Sequence, residues 1–380
     1  MKQKILQAVF AALVCAGASA QVNSGSNGSD GAFNPTSGTN IDMADHPNGI
    51  YQYTSVNIPG YVTVTFIPNV NNSPVTWLVQ SNVVINGTVI LDGTRAERSA
   101  GIGGPGGYHG GNTGTTATSG QGPGGGGVGT GSSYGGNASY GTLGVTNASC
   151  GSPGSIYGNN FLMPLLGGSG GGGSVSYGGS GGGGAILIAA SSPGTIQLNG
   201  SIYARGFANV DSGSGAGSGG AVRLVATTIS GTGSIDTGGN PAGDGRVRFD
   251  TYFNNFLGAV NNAVFTQGSQ FVVIPTAVSG TQLTITSVAG MPVSASPTGI
   301  ITTPDAVISA QQSNPVPIVV HCSNIPLSTA ITVTVTAVGG VPVSAVGYNS
   351  TGTLGSSTAT ISITMPRGGG FISASAATGN

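Results

Sequence analysis

Short stretches in which hydrophobic and polar residues alternate recur along this 380-residue chain from Tyr61 onward. The first, 61–67, stops at Pro68, and three further short apolar runs follow before residue 92. Each run ends at Asn, Gly or Pro, which favour turns, and the β-branched residues that favour strands are plentiful. The pattern predicts an all-β fold built from short strands.

A repeating unit emerges when three segments, 77–93, 186–206 and 222–239, are aligned. Each holds an apolar strand, a short turn and then Gly-Thr/Ser-Val/Ile, and a fourth unit begins at Gly245. The three motifs are Gly87-Thr88-Val89, Gly200-Ser201-Ile202 and Gly233-Ser234-Ile235. Strand-turn units of about 20 residues are typical of the stacked coils of a parallel β-helix. An antiparallel sandwich with coincidental turn spacing is the alternative.

The first two units are separated by the glycine tract, residues 101–184, in which 35 of 84 positions are glycine. Glycine chains can adopt an extended helix with three residues per turn, related to that of collagen, and such helices can pack closely and hydrogen-bond to one another. The strict period of collagen is absent, since 115–119 contains no glycine. Bulky residues such as Tyr108 and Phe161 argue against a flexible linker, which is the alternative for this composition. We therefore expect a polyglycine-II-like insertion of several short extended segments.

From about residue 271 the glycine content falls and strands recur at regular spacing, which is typical of an immunoglobulin-like β-sandwich. These strands are predicted at 282–288, 316–322, 330–336, 357–365 and 370–375. The Cys-Trp-Cys pattern of antibody domains is absent from this part. The sequence thus predicts a signal peptide (1–20), an N-terminal cap (21–60), a β-helix-like domain that contains the glycine tract (61–270) and the sandwich (271–380).

The first twenty residues have the three parts of a secretory signal. Lys2 and Lys4 are followed by the short apolar segment 5–14, and Ala18-Ser19-Ala20 provides a small-residue cleavage site. Cys15 follows Val14, whereas a lipoprotein site requires a small residue there. No later segment offers about 18 uninterrupted apolar residues, so we expect no transmembrane helix. The sequence predicts a secreted or cell-surface protein cleaved near Ala20.

Few charges remain after cleavage, because the leader removes both lysines and leaves seven arginines and ten acidic residues. A nucleic-acid partner requires a basic patch, and the arginines form none, so that class of function is excluded. The remaining cysteines, Cys150 and Cys322, lie far apart, and the sequence leaves open whether they pair. The cysteines and histidines lack the spacing of a zinc site, so we predict no metal and no cofactor.

The acidic residues offer one catalytic hypothesis, since a glycoside hydrolase needs two carboxylates across a cleft. Asp92, Asp211 and Asp236 each follow a repeat unit, but they lie beside glycine, where Asp normally serves a turn. Arg205 and Arg223 are expected to form ordinary salt bridges. Their predicted partners are Asp211, Asp236 and Asp250. We therefore assign no catalytic residue.

The runs 165–173 and 181–190 resemble a group of uncharacterised exported bacterial glycine-rich proteins. The resemblance extends over about 29–376 and includes Ser29-Asp-Gly-Ala-Phe-Asn-Pro35 and Asn324-Ile-Pro326. It implies a secreted parallel β-structure with a glycine-rich insertion, and it implies no activity. In composition alone the tract is also similar to the glycine-rich ectodomain of anaplastic-lymphoma-kinase-type receptors, and to polyglycine-helix antifreeze and phage-tip adhesin proteins.

The aromatic residues of the glycine tract are the candidate binding residues, because they could form an exposed contact face. They are Tyr108, His109, Tyr134, Tyr140 and Tyr157. Trp77 is predicted to lie in the core. The leading hypothesis is a non-enzymatic structural or adhesive protein with surface glycans or other extracellular proteins as partners. The alternatives are a polysaccharide-binding or polysaccharide-cleaving β-helix, and an ice or mineral binder.

Overall fold

A computed structural model describes residues 22–96, 98–129, 134–146, 150–207, 213–269, 271, 273, 282–293, 304–337, 343–366 and 370–376. The predicted signal peptide lies outside the described residues. The described part is almost entirely β-structure, with one three-residue 3-10 helix and no α-helix. The predicted all-β class is confirmed.

Fifteen strands form two parallel sheets in the first part of the chain. They are β1 (Gly31–Phe33), β2 (Thr39–Asp42), β3 (Ile50–Ile58), β4 (Thr63–Ile67), β5 (Val75–Val79), β6 (Val83–Ile85), β7 (Thr88–Ile90), β8 (Ala185–Ala190), β9 (Thr195–Leu198), β10 (Ser201–Tyr203), β11 (Ala221–Gly231), β12 (Ser234–Asp236), β13 (Gly245–Phe256), β14 (Ala259–Asn261) and β15 (Ala263–Gly268). The first sheet contains β1, β3, β5, β6, β8, β9, β11, β13 and β15, and the second contains the remaining six. The chain therefore passes repeatedly from the first sheet to the second and back.

The predicted alignment of the repeat units is confirmed by the register of the second sheet. Thr88 of β7 pairs with Ser201 of β10, which pairs in turn with Ser234 of β12. One residue further on, Val89 pairs with Ile202, and both side chains are buried. Because every one of these pairs is parallel, the alternative of an antiparallel sandwich is wrong for this part of the chain.

The main core lies between the stacked strands. Apolar residues that are register partners on neighbouring parallel strands form it. Trp77 is fully buried there, as predicted, and Ile188 pairs with it on β8. A second cluster covers the outer face of the first sheet, where Val22 and Phe271 pack near Leu187. The segments before β1 and after β15 therefore both cross that face.

The predicted N-terminal cap contains three strands that belong to the parallel sheets, together with the 3-10 helix Met43–Asp45. The Asp42 side chain accepts a hydrogen bond of 2.9 Å from the Ala44 amide and so caps this helix. Met43 is fully buried in the main core. The helix thus closes the core at its N-terminal end.

The C-terminal part contains eight strands in two antiparallel sheets. They are β16 (Gln282–Val288), β17 (Met291–Pro292), β18 (Val316–Ser323), β19 (Ala330–Ala337), β20 (Val343–Tyr348), β21 (Thr351–Gly352), β22 (Ser357–Ile363) and β23 (Gly370–Ala376). Ile318 and Ile361 of one sheet and Val333 of the other belong to a single buried cluster. Cys322 is buried here, and both it and Cys150 are free thiols.

Candidate functional site

The glycine tract contains no regular strand among its described residues, and its backbone is hydrogen-bonded between extended segments. The direction in which the backbone amides of the segment 167–173 donate their hydrogen bonds repeats every three residues. Two donors three residues apart reach the segment 178–184, and another such pair reaches 118–129. These bonds run from Gly168 to Gly183, from Gly171 to Ser180, from Gly170 to Gln121 and from Gly173 to Thr118. A three-residue period of partners is what an extended helix with three residues per turn produces.

The segment 167–173 is surrounded by other extended segments. Its remaining backbone donors reach Gly106 and Gly136, and the Ser169 amide donates to the Ser218 hydroxyl at 2.8 Å. Ser218 lies in 213–220, between the second and third repeat units, so these residues also join the set of hydrogen-bonded extended segments, which we call the glycine array. The buried backbone polar groups are therefore satisfied by neighbouring segments, as buried amides require.

Glycine is required at positions of this array where a larger side chain would clash with a neighbouring segment. A Cβ atom added at Gly110, Gly171 or Gly179 would come closer than 3.0 Å to the backbone of a neighbouring segment. Their φ angles lie outside the left-handed region, so the special conformations of glycine are not the reason. Close approach of backbone to backbone excludes every larger residue at these positions.

The expectation of an exposed aromatic face is wrong for Tyr140 and Tyr157, which are 1% and 2% exposed. Their ring centroids are 4.5 Å apart. The Tyr140 hydroxyl donates to the Leu166 carbonyl at 2.9 Å, and the Tyr157 hydroxyl donates to the Gly167 carbonyl at 2.5 Å. Burial raises the pKa of both hydroxyls. These tyrosines anchor the glycine tract, because they form a buried cluster with Leu162 of the tract and with Ala185 and Ala221 of the first sheet.

The other three predicted binding residues are half-buried. The Nδ1 atom of His109 accepts a hydrogen bond of 3.0 Å from the Gly103 amide, and burial lowers the pKa of this histidine. Burial also raises the pKa of Tyr108. Tyr134 forms an isolated parallel bridge with Cys150. Each of these residues takes part in the internal structure of the tract, and the structure does not gather the five into one surface.

A buried charge network lies on the outer face of the first sheet. The predicted ion pair between Arg223 and Asp250 is confirmed, with Nη2 and Oδ2 3.0 Å apart. Arg248 donates to the other oxygen of the same carboxylate at 2.6 Å. Asp250 is fully buried, so two charge-assisted contacts compensate the loss of its hydration.

Two arginines of β13 fasten the glycine tract to this face. Arg246 donates from Nε and Nη2 to the Tyr157 carbonyl, at 3.2 and 2.9 Å. Arg248 donates from Nη1 to the Asn160 carbonyl at 3.1 Å, and its guanidinium lies 5.1 Å from the Phe161 ring centroid. The arginines therefore hold the tract against the stacked strands.

Arg205 forms its salt bridge with Asp92, 2.6 Å away, and not with any of the three predicted partners. Of those partners, Asp211 lies outside the described residues, and Asp236 accepts hydrogen bonds from the Gly238 amide and the Asn262 side chain. The register explains the pairing, because Ile90 and Tyr203 are partners at the ends of the parallel strands β7 and β10, and Asp92 and Arg205 each follow two residues later. The described residues contain no group of three or more acidic, histidine or cysteine side chains placed to hold a metal.

A shallow groove crosses the stacked turns that precede the second sheet, and we call it the turn groove. Its volume is about 550 Å³. Each of three successive turns contributes three residues, namely Asn199, Gly200 and Ser201, then Thr232, Gly233 and Ser234, then Leu257, Gly258 and Ala259. A Cβ atom at any of the three glycines would strike the backbone of the preceding turn. Close stacking thus requires glycine, and the absence of side chains there forms the groove.

The side chains beside these glycines are uncharged and stacked in register. The Asn199 amide nitrogen donates to the Asn86 side chain at 2.9 Å, and the hydroxyls of Ser201 and Ser234 are 3.0 Å apart. Neighbouring strands are spaced by about 4.8 Å, so the polar groups of the first two turns lie one such interval apart, whereas the third turn contributes no polar side chain. The Gly-Thr/Ser-Val/Ile motifs can be aligned in the sequence, but the groove cannot be predicted from them. It forms only where the glycines of successive turns stack on one another.

Comparison with protein-family models, with curated proteins and with solved structures gave no match to this chain. No helix among the described residues is long and apolar enough to cross a membrane. The glycine array and the turn groove are the features of this chain from which a function can be inferred.

Proposed function

We propose that this protein is an exported, non-enzymatic scaffold that binds an extended, uncharged polysaccharide along the turn groove. The proposed fold is a parallel β-helix that carries a polyglycine-II-like insertion and is followed by an immunoglobulin-like sandwich. The parallel register of successive turns and the three-residue period of the backbone bonds support this description of the first part. The shared core of the two antiparallel sheets supports the description of the second.

The turn groove is the observation that carries the binding proposal. It runs across the strands, so the polar groups of its first two turns lie one strand spacing apart and can meet a polymer with a regular repeat. Asparagine amides both donate and accept, as do serine hydroxyls, which matches the hydroxyl groups of a sugar chain. The groove is wide and shallow, which suits a chain passing through it better than a small molecule requiring enclosure.

Because Tyr140 and Tyr157 are buried, we do not propose the glycine tract as the contact surface. The tract then acts as a rigid brace, because its backbone bonds and arginine contacts join it to the strands that carry the groove. A pre-ordered surface binds more tightly because little conformational entropy is lost on binding.

The surroundings of the carboxylates support a non-enzymatic role. Asp92 is paired with Arg205, and Asp250 is buried between two arginines. An acid or base catalyst must reach the substrate within hydrogen-bond distance. Neither carboxylate belongs to the turn groove.

A polysaccharide array probed with the chain from residue 21 to residue 380 tests this function. Thr232→Trp fills the groove from an exposed position, and Gln197→Trp adds the same side chain at an exposed position on β9. We expect Thr232→Trp to weaken binding to the best polymer by roughly tenfold or more, whereas Gln197→Trp leaves it unchanged. Binding to no polymer, or equal binding by both variants, contradicts the proposal. Release of oligosaccharides from a bound polymer contradicts the non-enzymatic part.

A second candidate function, ice or mineral binding, is favoured by a row of hydroxyl groups. Thr63, Thr88, Ser201 and Ser234 occupy successive register positions of the second sheet. Inspection of ice crystals grown in the presence of the protein separates the two functions. Faceted ice crystals with the wild-type protein, and unfaceted crystals with Thr88→Tyr, support the second candidate. Ice growth that the wild-type protein does not alter contradicts it.

A further inference from the structure

The C-terminal end of the stacked strands differs from the N-terminal end. At the N-terminal end, the 3-10 helix closes the core with the buried side chain of Met43. Three carboxylates, those of Asp30, Asp42 and Asp45, accompany this closed end, and 22–94 contains no lysine or arginine. The first turn thus has the polar cap that stacked repeat structures require for solubility.

At the C-terminal end, the stack finishes with β14 and β15, and no described strand pairs with their outer edges. Phe265 continues the register of the core residue Val247, yet it is 42% exposed, and no described strand stacks beyond it. Its ring packs edge-on against Phe249, with centroids 5.1 Å apart. Leu257 is 84% exposed at the corner before β14. The main core is therefore open at this end.

This open end has none of the usual protection of an edge strand. Natural edges carry charged residues or prolines that prevent pairing with another chain. The segment 257–268, which includes β14 and β15, contains neither a charged residue nor a proline. Six residues of β15 present their outer backbone groups without a described partner strand. An uncharged edge beside an open apolar core is suited to a protein contact.

We infer that the open C-terminal end binds a second copy of this chain in a two-fold dimer, with β15 of each copy antiparallel to β15 of the other. An edge strand is complementary to itself in the antiparallel sense, and a two-fold contact closes after two copies. Such a contact covers both open cores at once. Head-to-tail stacking instead places the open end against the end already closed by Met43 and leaves one open end in every assembly.

Sedimentation velocity of the chain from residue 21 to residue 380, without any polysaccharide, tests the inference. At micromolar concentration we expect twice the mass of one chain, with no larger species. Phe265→Glu places a carboxylate in the contact and should raise the dimer dissociation constant by roughly a hundredfold. Leu257→Glu should have the same effect, and its exposure leaves the fold intact. Ala32→Glu, at an exposed position on β1, should leave the dimer unchanged.

Three outcomes overturn the inference. The first is a single-chain mass at every concentration. The second is assembly that grows beyond two copies and is blocked by Ala32→Glu, which indicates head-to-tail contacts. The third is a dimer that persists in both Phe265→Glu and Leu257→Glu. Circular dichroism of each variant confirms that the fold is retained, and none of these results depends on whether the turn groove binds a polysaccharide.

Discussion

A methyl group at Gly171, in the middle of the segment 167–173, probes the close packing of the glycine array most directly. In Gly171→Ala the added Cβ atom points at the Gly215 carbonyl, closer than 3.0 Å, and lies 2.7 Å from the Ala216 oxygen. Both obstacles are backbone atoms, so no side chain can rotate away. The segment that carries Gly215 must move instead.

The cost follows from what that movement breaks. Gly215 donates to the Gly172 carbonyl and accepts from the Ser180 amide, each at 2.9 Å. Overpacking costs about 1–3 kcal/mol, and each lost hydrogen bond costs about 0.5–1.5 kcal/mol. The lower entropy of alanine in the unfolded chain offsets about 0.4–1 kcal/mol. We therefore expect Gly171→Ala to lower the free energy of unfolding by about 2–5 kcal/mol.

Urea unfolding followed by tryptophan fluorescence measures this change, because Trp77 is the single tryptophan and lies in the main core. Hydrogen exchange of the glycine amides reports on the array itself. Gly60→Ala is the matched control, since its nearest neighbour would be the Asn86 oxygen at 3.7 Å. The control should change stability by less than about 1 kcal/mol. If Gly171→Ala matches the control in both stability and amide exchange, the close-packed array is refuted.

Three further predictions concern buried polar groups. Asp250→Ala should lower the free energy of unfolding by about 3–5 kcal/mol, because it removes the carboxylate that compensates two buried guanidinium groups. Asp92→Ala should cost less than about 1 kcal/mol, because its pair with Arg205 is more exposed. Equal costs of the two variants in urea unfolding contradict this. Tyr157→Phe should cost about 1–3 kcal/mol by leaving the Gly167 carbonyl unsatisfied, and wild-type stability contradicts it. Tyr51→Phe should be neutral or stabilising at pH 7, since the buried Tyr51 hydroxyl has no hydrogen-bond partner among the described residues. Burial, and then nearby carboxylates, raise the pKa of Tyr51 from 10.0 to about 12. The folded state therefore holds a proton that the unfolded state releases above pH 10, and stability falls by about 1.4 kcal/mol per pH unit between pH 10 and 12. Tyr51→Phe should remove that component from the alkaline unfolding curve, and an unchanged pH dependence refutes the assignment.

The repeat motifs were the most informative part of the sequence. Gly87, Gly200 and Gly233 align by inspection, and the structure stacks the Thr or Ser that follows each of them in register. A motif of this kind is local, so it identifies stacked turns even where the glycine tract separates two of them in the sequence. A salt bridge of Arg223 with Asp211, Asp236 or Asp250 is also predicted from the sequence, and the structure shows that the partner is Asp250.

The expected exposure of Tyr140 and Tyr157 is wrong because their contacts are not local. Composition shows that Tyr140 and Tyr157 are bulky residues among glycines, and this suits both an exposed face and a buried anchor. Only the arrangement of segments places their hydroxyls within reach of the Leu166 and Gly167 carbonyls. The partner of Arg205 was missed in the same way, because Asp92 is far from it in sequence and adjacent only across stacked strands.

By itself, the sequence determined the strand-rich class, the repeat and its phase, because alternation and turn residues act over a few neighbouring positions. The tertiary structure alone decided which surfaces are open. The turn groove exists because glycines from three separate turns stack on one another, and Phe265 is exposed because no described strand stacks on β15. Such features depend on contacts between residues far apart in the chain, which no local pattern specifies.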